Sequence, residues 1–106
     1  MAKLMNSTDA NFESQISGDK LTLVQYSGEW CSACKMALPA IERLADTLKD
    51  KVNFYYHDID KEPSQPTREM LKAVPAFILY RSKKKIDQKM GFSNEKDMLE
   101  FIHSHL

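Results

Sequence analysis

The stretch from Leu21 to Lys35, LTLVQYSGEWCSACK, decides the fold of this chain. It begins with an apolar run of strand length, Leu21 to Tyr26, and it ends with Cys31 and Cys34, the only 2 cysteines among the 106 residues. Two thiols held one helical turn apart can close into a disulfide and so pass on two electrons. A Cys-x-x-Cys pair between a strand and a helix is typical of a redox motif.

The residues that follow the cysteines predict a helix and a second strand. The helix is expected to reach about Asp50, with Pro39 inside it and kinking it. Its buried face is marked by apolar residues at helical spacing: Ala37, Ile41, Leu44, Ala45 and Leu48. Val52 to Ile59 is rich in aromatic and β-branched residues, which favours a strand. Two strands joined through a helix in this way form a right-handed parallel pair.

The first part of the chain and the segment after the second strand predict two short helices. The run Ser7 to Asp9 offers helix caps before Phe12 and Ile16, which are spaced by four residues. Further along, Pro66 suits the first turn of a helix that continues through Met70, Leu71 and Val74. Pro75 is expected to end that helix.

The remaining residues predict a hairpin and a final helix. Ala76 to Arg81 is a third strand, Ser82 to Lys85 a turn, and Ile86 to Met90 a fourth strand. The last helix, capped at Ser93 or Asn94, has Met98, Phe101 and Ile102 on one face. The sequence therefore predicts an α/β fold in a single domain, residues 1–106. Its central sheet is mixed, parallel with an antiparallel hairpin, and helices flank both faces.

Composition and charge narrow the classes of partner. The 15 basic and 15 acidic residues cancel, so no net field recruits nucleic acid or an anionic membrane. No apolar run approaches the roughly 20 residues of a membrane span, and Met1 to Asn11 lacks the features of a secretory signal. A cytoplasmic location is expected. In that reducing compartment a lone cysteine pair is more often catalytic or metal-binding than a structural staple.

An ordered set of motifs then resembles the thioredoxin family over nearly the whole chain, without insertion or deletion. The motifs are Glu29-Trp30-Cys31-x-x-Cys34-Lys35, Pro39, Asp58-Ile59-Asp60, Val74-Pro75-Ala76-Phe77 and Gly91. The resemblance implies the thioredoxin fold and a thiol-disulfide oxidoreductase that reduces or exchanges protein disulfides. It implies a cis peptide bond before Pro75 and an apolar rim for the client protein, formed by Trp30, Val74, Pro75 and Gly91.

The two cysteines are expected to have different roles. Cys31 begins a helix, where unpaired backbone N–H groups and the positive end of the dipole stabilise a thiolate, so it is the expected nucleophile. Cys34 is expected to be more buried and to resolve the mixed disulfide between Cys31 and a client. The expected partners are disulfide-containing proteins and a thioredoxin reductase. The protein is expected to be a monomer without a cofactor.

Two other interpretations of the cysteines remain open. They could be inert core residues, since free cysteine is often simply buried. They could also bind metal, although a closed zinc site needs about four ligands and no second Cys-x-x-Cys is present. His103 and His105 point in different directions on a helix and are expected to be solvated, while His57 lies in a strand. The alternative is a zinc ion or an iron–sulfur cluster shared between two protomers.

The departures from the thioredoxin pattern predict a different redox balance. Ser32 and Ala33 stand between the cysteines where thioredoxin has Gly-Pro, and Ala33 supplies an N–H that proline lacks. That donor is expected to point toward the sulfur of Cys31. Gln25 and Tyr56 replace a buried aspartate and a lysine behind the site, so both charges are absent. The sequence therefore predicts a more acidic nucleophile, a less reducing couple and slower resolution than in thioredoxin.

These departures from the thioredoxin pattern are also compatible with a protein that is not an enzyme. A thioredoxin-like binding or redox-sensing module could use the pair for holding or sensing, with little turnover. The presence of both cysteines favours the enzyme.

Overall fold

The computed structural model describes residues 4–106. It contains five strands and four helices in the order β1 Met5–Ser7, α1 Phe12–Gln15, β2 Leu21–Ser27, α2 Ser32–Thr47, β3 Val52–Asp58, α3 Ser64–Arg68, β4 Ala76–Arg81, β5 Lys84–Met90 and α4 Glu95–His103. No helix in this part of the chain is both long and apolar enough to cross a membrane.

The strands form one mixed sheet, in the order β1-β3-β2-β4-β5. β3 pairs in parallel with β1 and β2, whereas β4 is antiparallel to both β2 and β5. β2 lies in the centre and all seven of its residues are buried, which accounts for its nearly continuous apolar sequence. The predicted α/β architecture, with a parallel half and an antiparallel hairpin, is confirmed.

The two faces of the sheet are covered by different helices. One core cluster joins α2 and α4 to the sheet through Ile41, Met98 and Ile102, none of which has any exposed surface. The cluster on the opposite face includes Phe12 and Ile16, from α1 and the residue after it. Side chains alternate between faces along a strand, so Gln25 projects to the same side as Leu21 and Leu23, beneath α2.

The structure corrects the prediction for the first residues. Ser7 does not cap a helix but lies in β1, where it pairs with His57 of β3, and Asn11 is the residue that precedes α1. A three-residue strand is too short for a clear alternating pattern, so β1 could not be predicted from the sequence. Ser7 Oγ lies 2.8 Å from Nδ1 of the fully buried His57, which explains why a polar residue occurs there.

The third helix and the hairpin turn also differ from the prediction. α3 begins at Ser64 and ends at Arg68, before Met70, whose φ of 54° interrupts helical geometry.

The turn between β4 and β5 consists of Ser82 and Lys83 alone, both at positive φ, as a tight hairpin requires. Their N–H groups donate to the carbonyl oxygens of Gly18 and Ile16 at 2.8 Å. These two bonds hold the turn without an Asn-Gly pair.

Asp9 ties the first loop to α3. Its carboxylate accepts hydrogen bonds from the backbone N–H groups of Ser64 and Gln65, at 2.9 and 2.8 Å, and so caps a helix that has no side-chain cap of its own. Burial is the largest single influence on the pKa of Asp9 and raises it. The two backbone donors and the His57 ring together outweigh burial and leave the pKa below its usual value.

We expect Asp9→Ala to lower the free energy of unfolding at pH 7 by about 1 kcal/mol, the usual worth of a cap. Because the folded-state pKa is depressed, the charged carboxylate stabilises the fold above its unfolded pKa of about 3.9. That stabilisation is lost as the pH falls through the folded-state value. Urea unfolding should therefore show a smaller difference between variant and native chain near pH 3, whereas Asp19→Ala, at an exposed position, should differ little at either pH.

Candidate redox site

The two cysteines are positioned by the junction between β2 and α2. Cys31 is the N-cap of α2, with extended backbone, and its N–H donates to the carbonyl of Gly28 at 3.0 Å. Cys34 lies in the first turn of the helix, and the two sulfurs form a disulfide across a Cα separation of 5.3 Å. Cys31 is 7% exposed and Cys34 is 2% exposed. The predicted difference in burial is therefore present but small.

The helix start supplies a hydrogen bond to the outer sulfur. The N–H of Cys34 donates to Sγ of Cys31 at 3.2 Å, in the usual manner of a third helical residue and its N-cap. The sequence assigned a donor to Ala33, but the N–H that donates to this sulfur in the structure belongs to Cys34, the third residue of the helix. Ser32 and Ala33, which lie between the cysteines, are both exposed.

The rim of the site comes from three separate segments. The Val74–Pro75 peptide bond is cis, as the resemblance implied, and the carbonyl oxygen of Val74 lies 3.8 Å from Sγ of Cys31. The N–H of Gly91 donates to the carbonyl of Pro75 at 2.8 Å. Gly91 has φ of +76°, a conformation that favours glycine. The structure thus places Val74 beside Cys31 and joins Gly91 to the neighbouring Pro75.

Trp30 forms the other side of the rim and is 66% exposed. Its indole N–H donates to a carboxylate oxygen of Asp60 at 2.6 Å, and its ring lies against Gly28. A Cβ on Gly28 would come within 2.6 Å of the indole, so only glycine leaves room for this ring position. Sequence reasoning missed the roles of Gly28 and Asp60. The glycine two residues before the tryptophan was the one feature of the sequence that could have indicated this close approach of the ring to the backbone.

A groove of about 250 Å³ continues from Trp30 along the α3 side of the site. Its walls are mostly apolar, and the lining residues are Trp30, Ile59, Pro66, Leu71, Lys72, Ala73 and Val74. The loop between α3 and β4, which the sequence predicted as helix, therefore forms one wall of this groove and also carries Val74 to the disulfide.

Polar side chains lie beneath the disulfide, where the sequence placed Gln25 and Tyr56. Gln25 has no exposed surface, and it is the register partner of Tyr56 on β3. Its Nε2 donates to Ser27 Oγ at 3.0 Å and to the carbonyl of Cys34 at 3.4 Å. Burial raises the pKa of Tyr56, although a hydrogen bond with Ser27 opposes this. Ser27 was not singled out from the sequence.

The histidines do not gather around the cysteines. His57 is buried between Ser7 and the carbonyl of Glu62, and His105 contacts Asp87 at 2.8 Å. Within residues 4–106 no three metal-binding side chains lie close enough together to hold an ion.

The arrangement around Cys31 and Cys34 suits thiol-disulfide exchange. One sulfur lies at a helix N-terminus, the second lies behind it, and an apolar rim with a backbone carbonyl lies beside them.

The fold and this site together define a dithiol–disulfide redox protein. The profile of the family described as Thioredoxin matches residues 3–104. The chain belongs to the thioredoxin family. It is 29% identical to the thioredoxin of Rickettsia typhi over 102 residues, covering 95% of this chain and 97% of that protein.

Two further relatives give the same result. The thioredoxin of Staphylococcus saprophyticus is 31% identical over 99 residues, with 93% of this chain and 94% of the relative covered. The thioredoxin of Alicyclobacillus acidocaldarius is 33% identical over 96 residues, with coverage of 91% and 90%. The family membership and the cysteine pair make this protein a thiol-disulfide oxidoreductase.

Proposed function

We propose that this oxidoreductase reduces or exchanges disulfides of client proteins, with Cys31 as the nucleophile and Cys34 as the resolving thiol. The Cys31 thiolate attacks one client sulfur, a Cys31–client disulfide forms, and the other client sulfur leaves as a thiolate. Cys34 then attacks Cys31, which closes the internal disulfide and releases the second client thiolate. The client gains two electrons and the cysteine pair loses them.

The position of Cys31 carries this assignment. It caps α2, and a backbone N–H already donates to its sulfur at 3.2 Å. A hydrogen bond and the helix dipole both stabilise negative charge at that atom. Cys34 is the less exposed of the two, at 2%. A client would therefore meet Cys31 first.

We propose that Trp30, Val74, Pro75 and Gly91 bind the client. The exposed indole of Trp30 offers apolar surface on one side of Cys31. On the other side, the carbonyl of Val74 is 3.8 Å from the sulfur, so an extended client segment could pair with this backbone while its cysteine reaches Cys31. No cofactor takes part in these steps.

The electron donor of the protein follows from the same redox cycle. Each turnover leaves the disulfide, so a reductase must return two electrons, and we propose a thioredoxin reductase for this step. The chain is proposed to act in the cytoplasm as a monomer formed by the single domain of residues 1–106.

Insulin reduction driven by dithiothreitol tests the function directly. The native chain should accelerate the precipitation of reduced insulin, because its dithiol transfers electrons faster than the small reagent alone. The matched control is the double variant Cys31→Ser and Cys34→Ser, which lacks both sulfurs. Native activity no higher than that of the double variant would favour a binding or sensing module instead.

We also propose that the couple is less reducing than that of thioredoxin. The neutral Gln25 and Tyr56 stand behind the sulfurs, where thioredoxin has a buried aspartate and a lysine. The absence of that negative charge favours a thiolate at Cys31 and so the reduced form. Equilibration with glutathione should give a potential above the roughly −270 mV of thioredoxin. A value at or below that potential would contradict the proposal.

A further inference from the structure

Gln25 has an unsatisfied atom directly behind the redox pair. The residue is fully buried, and its Nε2 donates to Ser27 Oγ and to the carbonyl of Cys34. Its Oε1 accepts no hydrogen bond, and in residues 4–106 it is the one buried side-chain nitrogen or oxygen without a partner. An unpaired buried acceptor destabilises the state that contains it.

The state that contains this unpaired oxygen is the disulfide. The N–H of Cys34 is engaged by Sγ of Cys31, and a disulfide sulfur has no hydrogen to donate. Reduction adds two electrons to the pair, and the sulfur of Cys34 takes up a proton from water to become a thiol. The thiol of Cys34 is thus a new donor, created by reduction on the residue whose carbonyl is 3.4 Å from the Gln25 amide.

We propose that the thiol of Cys34 donates a hydrogen bond to Oε1 of Gln25 in the reduced protein, so that Gln25 is a positioning residue whose bond exists in only one redox state. The bond stabilises the dithiol, and its loss on oxidation leaves the oxygen unpaired, so Gln25 raises the reduction potential. It also holds the thiol until Cys34 attacks Cys31. The inference rests on the proposed cycling between disulfide and dithiol, but not on which cysteine attacks the client.

Glutathione equilibration measures the first consequence. Gln25→Met keeps the side-chain length and removes the amide oxygen, leaving only a weak sulfur acceptor. The equilibrium constant should move about tenfold toward the disulfide, which corresponds to a potential lower by about 30 mV. Ser27→Ala is the matched control, since it removes a partner of the Gln25 amide and keeps Oε1. It should lower stability and leave the equilibrium within about twofold of native, because the Oε1 acceptor, which carries the redox effect, is retained.

Either of two results would overturn the inference. One is an unchanged equilibrium in Gln25→Met, or in Gln25→Leu if the first variant does not fold. The other is an equal shift in Ser27→Ala, which would mean that packing rather than the oxygen sets the equilibrium.

Infrared spectroscopy observes the bond itself. In Cys31→Ser the thiol of Cys34 is the only one in the chain, because the sequence has just 2 cysteines. Its S–H stretching band should lie below the frequency of a free thiol and should rise when Gln25→Met is added. A band that Gln25→Met leaves in place would refute the bond and point to another donor, such as a buried water. Since the spectrum needs no client, a shifted band with inactive native protein would contradict the proposed function alone.

Discussion

Cys34→Ser should convert this protein into a trap for its clients. Cys31 can still attack a client disulfide, but the serine cannot attack the resulting mixed disulfide, so the adduct accumulates. Steady-state insulin reduction should fall by at least about a hundredfold, because an intramolecular thiol of very high effective concentration is lost. Non-reducing electrophoresis and mass spectrometry of the variant mixed with insulin should show the insulin chain attached to Cys31.

The reciprocal variant provides the control for the two roles. Cys31→Ser should form few adducts, since Cys34 is 2% exposed and lies behind the first cysteine. If Cys31→Ser trapped insulin as well as Cys34→Ser does, the assignment of nucleophile and resolving thiol would be wrong. If neither variant trapped insulin while the native chain reduced it, reduction would not proceed through a mixed disulfide of the kind proposed.

Ile41→Ala should cause a large loss of stability. Ile41 has no exposed surface and connects α2, the helix that carries both cysteines, to the core between α2, α4 and the sheet. Removing its side chain leaves a cavity and should lower the free energy of unfolding by about 2–5 kcal/mol. Since small domains total about 5–15 kcal/mol, the melting temperature should fall by more than about 10 °C.

Met36→Ala separates this packing effect from a change in helix propensity. Met36 lies on the same helix and is 77% exposed, so the substitution removes little buried surface. Its free energy of unfolding should stay within about 0.5 kcal/mol of native. Thermal unfolding followed by circular dichroism measures both variants. A loss in Met36→Ala as large as that in Ile41→Ala would contradict the packing explanation.

Much of this structure could be predicted from the sequence, because long elements have strong periodic patterns. The apolar run of β2 and the helical spacing of Ile41, Leu44 and Leu48 place the central strand and the main helix. β1 and the end of α3 could not be placed in this way. β1 has only three residues and depends on its pairing with β3, while the end of α3 depends on the backbone of Met70.

The candidate site likewise has features that the sequence predicts and features that it does not. The cysteines and the rim belong to motifs that can be recognised in the sequence, and the structure places Val74 beside Cys31 with Gly91 bonded to Pro75. The direction of single donors and acceptors is different, because it depends on helix position and on neighbours from other strands. The donor to Cys31 is therefore the N–H of Cys34 and not of Ala33, and the unpaired oxygen of Gln25 became visible only in three dimensions.

The placement of Trp30 gives this molecule a built-in optical probe. It is the only tryptophan of the chain, it directly precedes Cys31, and its indole is fixed by the bond to Asp60. All tryptophan emission therefore originates beside the reacting sulfur, with no second indole to obscure it. Opening of the disulfide, capture of a client and displacement of the ring can each be followed by fluorescence in the unlabelled protein.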